Sequence, residues 1–217
     1  MDIEQARFNM IEQQIRPWDV LNTDVLDVIQ SVPREQFVPA EHMKLAFADL
    51  EIPLGHGQVM MSPKVEARIL QALQPGAKDE ALEVGTGSGY LTACLAAMAS
   101  HTTTIEYYAD LSSSAQQCCA QNGSNNIEYL VGNIFDRINS LDSYDVIAVT
   151  ASVPEYTSLF AERLNVGGRL FIITGHRPVM SAMLVTCVAE NEFRREILFE
   201  TEITPLITSS QDKVFSF

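Results

Sequence analysis

Residues 81–90 read ALEVGTGSGY. Residues 81–84 are a strand-length run, apolar except for Glu83, and glycines follow at alternate positions 85, 87 and 89. Glycine allows a sharp turn and lets another molecule lie against bare backbone. The apolar run from Tyr90 to about Ala99 then has helix length, so the stretch predicts a strand, a tight turn and a helix. A helix that starts at such a turn offers unpaired N–H groups to whatever lies in the crevice.

The same rhythm continues downstream. HTTTIE (101–106), IEYLVGN (127–133), YDVIAVT (144–150) and GGRLFIIT (167–174) predict strands. ADLSSSAQQCCAQNG (109–123) and PEYTSLFAERL (154–164) predict the helices between them. MLVTCVAE (183–190) and FRREILFE (193–200) flank a short turn and predict an antiparallel hairpin. Strands alternating with helices imply an α/β fold, Rossmann-like and doubly wound around a mostly parallel sheet.

Upstream, apolar residues at helical spacing predict helices over 3–16 and 22–32, and 33–49 reads as an irregular link with a short helix. GHGQVMMSP (55–63) is a glycine loop, and a helix over about 63–73 follows, with Ser62 as N-cap and Pro63 at its first position. The expected organisation is one compact unit. Residues 1–78 form an N-terminal helical extension and substrate-side loop, and residues 79–217 form the ligand-binding α/β domain.

Composition restricts the partners. The chain has 217 residues, a formal charge of −14 and a pI near 4.6. That balance argues against a nucleic-acid partner, which needs clustered Lys and Arg, and equally against an anionic membrane surface. The four cysteines show no spacing that suggests zinc, so no metal site is expected. No basic start followed by an apolar core opens the chain, and the expectation is a cytoplasmic protein with reduced thiols.

Glu106 ends the strand after the glycine turn, where a carboxylate can accept hydrogen bonds from both ribose hydroxyls of a nucleoside. Two ligand classes fit. Dinucleotides prefer G-x-G-x-x-G and rest a pyrophosphate on the helix N-terminus. Here the spacing is G-x-G-x-G, and the charge of Glu83 would repel a pyrophosphate. S-adenosyl-L-methionine carries a sulfonium and an ammonium instead, and suits that charge pattern better.

The chain resembles the protein-L-isoaspartate (D-aspartate) O-methyltransferase family, a branch of the class I S-adenosylmethionine-dependent methyltransferases. MIEQQI (10–15), VLDVIQSVPREQFVPAEH (25–42), LAFADLEIPLGHGQ (45–58), ALEVGTGSGYLTACLA (81–96), YDVIAVTASVP (144–154) and LNVGGRLFIITG (164–175) carry the resemblance, in the family's order. VPREQFVP and IPLGHGQ are its specific segments. EITPLI (202–207) is similar to a family C-terminal strand. The resemblance implies that Gln58, Glu83, Gly85, Thr86, Gly87 and Gly89 serve the donor's methionine end and the lid over it, and that Glu106 holds the ribose. It implies that Thr150, with Ala151, lies near the sulfonium, and that Asn133 stands where the family has an adenine-binding aspartate, with Asp136 a nearby substitute.

The resemblance also implies a lid that closes over the donor and places the substrate carboxylate. Where the family reads Gln-Thr-Ile-Ser, this chain reads Gln58-Val59-Met60-Met61. Both hydroxyls are gone, Met61 stands at the serine position, and Ser62 lies one residue late with its oxygen expected in the helix cap. Methylating a carboxylate needs no general base, because the nucleophile is already ionised at neutral pH. A lost serine removes an orienting hydrogen bond worth about 1.5–3 kcal/mol rather than the chemistry. Three functions fit these residues. The first is methylation of isoaspartyl carboxylates on damaged proteins or peptides. The others are methylation of a less polar acceptor and donor binding without transfer.

Overall fold

The computed structural model describes residues 2–207; positions 208–217 of the expected α/β domain lie outside the described residues. Nine strands and six α-helices are described: β1 (Ile52–Gly55), β2 (Gln58–Met60), β3 (Glu80–Val84), β4 (His101–Glu106), β5 (Ile127–Val131), β6 (Tyr144–Val153), β7 (Leu164–His176), β8 (Val179–Ala189), β9 (Glu192–Thr201), α1 (Ile3–Met10), α2 (Thr23–Ser31), α3 (Pro63–Leu73), α4 (Tyr90–Met98), α5 (Ala109–Gln121) and α6 (Ile134–Arg137). Seven strands form one sheet in the order β5-β4-β3-β6-β7-β8-β9. β3 to β7 run parallel, and the β8–β9 hairpin adds two antiparallel strands at one edge.

Alternation along the strands separates two apolar cores. Ala81, Val146, Ala148, Phe171 and Ile173 face a cluster completed by α3, α4 and the N-terminal helices, through Met10, Ile15, Val25, Leu70 and Leu95. Their neighbours Leu82, Val84, Ile147, Val149, Leu170 and Ile172 face the other side, closed by Ile134, Ile138 and Phe160. Both sheet faces are therefore buried, as a parallel sheet requires. Trp18 meets Phe199 of β9 edge-on at 5.6 Å, tying the N-terminal helices to the hairpin.

Several predicted elements differ. The helix expected over 154–164 does not form; β6 runs on to Val153, and only the 3-10 turn Ala161–Arg163 follows before β7 begins at Leu164. Lengthening both parallel strands left too little chain for a crossover helix. The buried residues Phe160 and Ala161 close the core in its place. Residues 33–49 hold two 3-10 turns, Arg34–Phe37 and Ala40–Leu45. The first predicted helix stops at Met10 and continues as a wider π turn over Ile11–Ile15. The glycine loop is the tip of an antiparallel hairpin, β1–β2. EITPLI forms no strand; Pro205 makes a single bridge to Ser152 beyond the middle of β6. No helix among the described residues is long and apolar enough to cross a membrane.

Candidate active site

β3 sits between β4 on one side and β6 on the other, so the chain reverses its direction of travel across the sheet at β3. Ligands of open α/β sheets bind outside the carboxyl ends of the strands at that point. A cavity of about 830 Å³, counting its open mouth, lies there. Its walls come from the hairpin (Gln58–Met61), the glycine turn (Gly85–Ser88), the end of β4 (Glu106–Tyr108), Asn133, Thr150 and the segment 203–207.

The glycine turn is held open by its neighbours. Gly85 has φ +95°, and a Cβ there would strike Thr150 Oγ1. That hydroxyl contacts the carbonyls of Val84 at 2.9 Å and Gly85 at 2.7 Å, so Thr150 fastens β6 to the turn. Thr86 and Thr104 join hydroxyls at 2.6 Å beneath it. Glu106 is buried; its Oε2 accepts from Gly87 N at 2.9 Å and its Oε1 from Tyr108 N at 3.1 Å. A carboxylate has about four acceptor positions, so capacity for two ribose hydroxyls remains. Replacing Glu106 by alanine is expected to weaken S-adenosyl-L-homocysteine binding about a hundredfold or more, read by calorimetry, the scale of two charge-assisted hydrogen bonds to a ribose.

Glu83 departs from its expected role as a charged lining residue. It is fully buried, and its Oε2 accepts from Thr92 and, at 2.7 Å, from Thr104. Its Oε1 is buried without a partner. Burial pushes its pKa up to about 8 against the two threonine hydrogen bonds, with Glu106 and Glu66 adding repulsion. Burial therefore favours the protonated form of this side chain.

The other predicted residues divide. Gln58, Glu83, Gly85, Thr86, Gly87, Glu106, Asn133, Thr150 and Met61 all line the cavity. Gly89 and Ser62 are not among its lining residues. Gly89 caps α4 at φ +84°, and a Cβ there would lie 2.8 Å from Ala115 Cβ, so it serves close packing of α5. Ser62 takes the N-cap position of α3, yet its side chain makes no cap hydrogen bond, contrary to expectation. Asn133 Oδ1 accepts from Phe135 N at 3.0 Å and so caps α6, while Asp136 is exposed and away from the wall.

The sequence pattern left out Arg34 and Glu66. Arg34 is fully buried in the VPREQFVP segment. It donates to Ala46 O at 2.8 Å and Met61 O at 2.6 Å, pairs with Glu66 of α3, and lies over the Tyr90 ring at 4.9 Å. One guanidinium thus fixes the 3-10 link, the base of the lid and α3 together. Burial pushes Glu66 up to about 7 even beside Arg34. A glutamate on the helix face that carries Val65 and Ile69 was the available signal; Arg34, beside Glu35 and Gln36, gave none.

The sequence profile described as Protein-L-isoaspartate(D-aspartate) O-methyltransferase (PCMT) matches residues 5–211. The chain belongs to this family. A protein-L-isoaspartate O-methyltransferase of Koribacter versatilis is 34% identical over 201 residues, covering 93% of this chain and 90% of the relative. One from Syntrophus aciditrophicus is 32% identical, covering 94% of each chain. The crystal structure of a Plasmodium falciparum protein described as a member of the family, in complex with S-adenosyl-L-homocysteine, superposes with a TM-score of 0.81. It is 19% identical and covers 95% of this chain and 99% of its own, a likeness of fold. The methyl donor of protein-L-isoaspartate O-methyltransferases is S-adenosyl-L-methionine, and the cavity here fits such a group. It offers a glycine cradle that a Cβ would fill, a ribose-ready carboxylate at Glu106 and an unpaired buried oxygen at Glu83.

Proposed function

We propose that this protein is an S-adenosyl-L-methionine-dependent O-methyltransferase that esterifies L-isoaspartyl (D-aspartyl) carboxylates in damaged proteins, the opening step of their repair, in the cytoplasm. Membership of the family across residues 5–211 carries the reading. When bound, the donor supplies a methyl group activated by a sulfonium. Glu106 would hold the ribose, Gly85 and Gly87 would admit the donor against backbone, and Thr150 would keep the turn open beside it. Residues 1–78 supply the lid and the acceptor side; residues 79–217 supply the donor side.

The acceptor carboxylate is ionised at neutral pH, so the chain needs to orient it and exclude water rather than remove a proton. Val59, Met60 and Met61 form one apolar wall, and Ile203, Pro205 and Leu206 another. Methyl ester formed on an isoaspartyl peptide, and absent from its aspartyl twin, is the expected result with labelled donor. No ester, with donor binding intact, would overturn the acceptor assignment.

One observation favours a second acceptor class. Among the described lining residues there is no Lys, Arg or His to meet a carboxylate, and the family hydroxyls are replaced by Val59 and Met61. A less polar acceptor suits that wall. The variant Met61→Ser separates the two readings: with isoaspartyl peptide it is expected to raise kcat/KM about tenfold by restoring one hydrogen bond to a charged group. An unchanged rate would favour the second class.

A further inference from the structure

The β1–β2 hairpin reaches across the cavity and ends on the opposite wall. Gly55 pairs with Gln58, which leaves His56 and Gly57 as the two central residues of the turn. Both have positive φ, +53° and +70°. Turns of this type favour Asn or Gly at the first central position, because a larger L side chain rarely adopts that backbone. His56 holds it nonetheless, and its side chain is committed elsewhere. The imidazole stacks on Tyr108 with centroids 4.1 Å apart and planes 10° from parallel. Its Nε2 lies 2.8 Å from Asp110 Oδ2, in the first turn of α5. That hydrogen bond is the first cause lowering the Asp110 pKa.

These contacts bridge two separate parts of the chain over the donor crevice. Tyr108 lines the cavity, and its backbone N–H holds Glu106. Beneath the hairpin, Leu54 Cδ1 comes within 3.4 Å of where a Cβ on Gly87 would stand, so the strand before the turn already lies on the glycine loop. A tight turn whose central histidine is joined by ring and by hydrogen bond to the far wall reads as a fastening.

We propose that His56 is a positioning residue that latches the hairpin over the donor site, so that donor and product exchange only when His56 parts from Tyr108 and Asp110. The inference rests on the donor reading above. Release of the latch lifts the tip of the hairpin, residues 55–58, away from the glycine turn, while Met60 stays in the core and Met61 stays pinned by Arg34. The glycine turn, Glu106 and Thr150 need not move.

Two measurements test it, one of them without donor. His56→Asn keeps a residue suited to the turn, so the hairpin still forms. Backbone amide hydrogen exchange over 52–60 in the empty protein is expected to quicken in this variant. Dissociation of labelled S-adenosyl-L-homocysteine from it is expected to be about three- to tenfold faster than from wild type, the combined scale of a ring stack and an exposed hydrogen bond. Asp110→Asn keeps an acceptor for the imidazole and should release the product at near the wild-type rate, whereas Asp110→Ala should speed release about twofold. A purely structural His56 would not show that graded rescue. Faster exchange with unchanged dissociation would overturn the gate while leaving donor binding established. Unchanged exchange in His56→Asn would overturn the latch itself. Wild-type protein that binds no S-adenosyl-L-homocysteine would overturn the donor reading, and the gate with it.

Discussion

Replacing Arg34 by methionine is expected to lower the unfolding free energy by about 3–5 kcal/mol, the scale for breaking a buried ion pair. Three buried acceptors lose their donor at once: Ala46 O, Met61 O and Glu66. The loss reaches the site, because the Met61 carbonyl is where the lid leaves the core. Urea unfolding of Arg34→Met and of the double variant Arg34→Met/Glu66→Leu measures it. Removing both charges from a dry pocket is often neutral, so the double variant should recover part of the loss. The two orphaned carbonyls keep recovery incomplete. A single variant within 1 kcal/mol of wild type, on the order expected for surface substitutions, would mean the clamp does not hold these segments.

Stability of the empty protein is expected to fall by about 2–3 kcal/mol between pH 6 and pH 8, at about 1.4 kcal/mol per pH unit for one coupled group. Glu83 has a folded pKa raised from 4.5 to about 8. Between those values the folded state holds a proton that the unfolded chain has released. The stabilising contribution is therefore complete below the unfolded pKa and is lost as pH rises through the folded one. Denaturant midpoints at pH 6 and pH 8 for wild type and Glu83→Gln decide the matter. The glutamine can still accept from Thr92 and Thr104 and cannot ionise, so its curve should be flatter. A wild-type curve as flat as the variant's would show that Glu83 is already charged in the empty protein.

Much of the fold was legible because its strands are short apolar runs closed by glycine turns, and that pattern survives without knowledge of packing. The glycine turn and Glu106 pointed to the crevice in the same way. The helix expected over 154–164 failed for a reason no local pattern holds: β6 and β7 each gained length from partners across the sheet. Arg34 and Glu66 were missed because their meaning lies in each other, 32 positions apart. Glu83 was read as charged because a sequence shows a carboxylate but not its desolvation.

By itself the sequence determined most of the strands and helices of the sheet region and the doubly wound architecture, and it pointed to the crevice at the glycine turn. Those follow from periodicity and from backbone freedom at glycine, both properties of neighbouring residues. Only the tertiary structure decided that Glu83 is buried with an unpaired oxygen, that Arg34 pins the lid through Met61, and that His56 crosses to Tyr108 and Asp110. Each depends on burial or on contacts between distant segments, and burial sets the energy of a charge far more than its neighbours in the chain do.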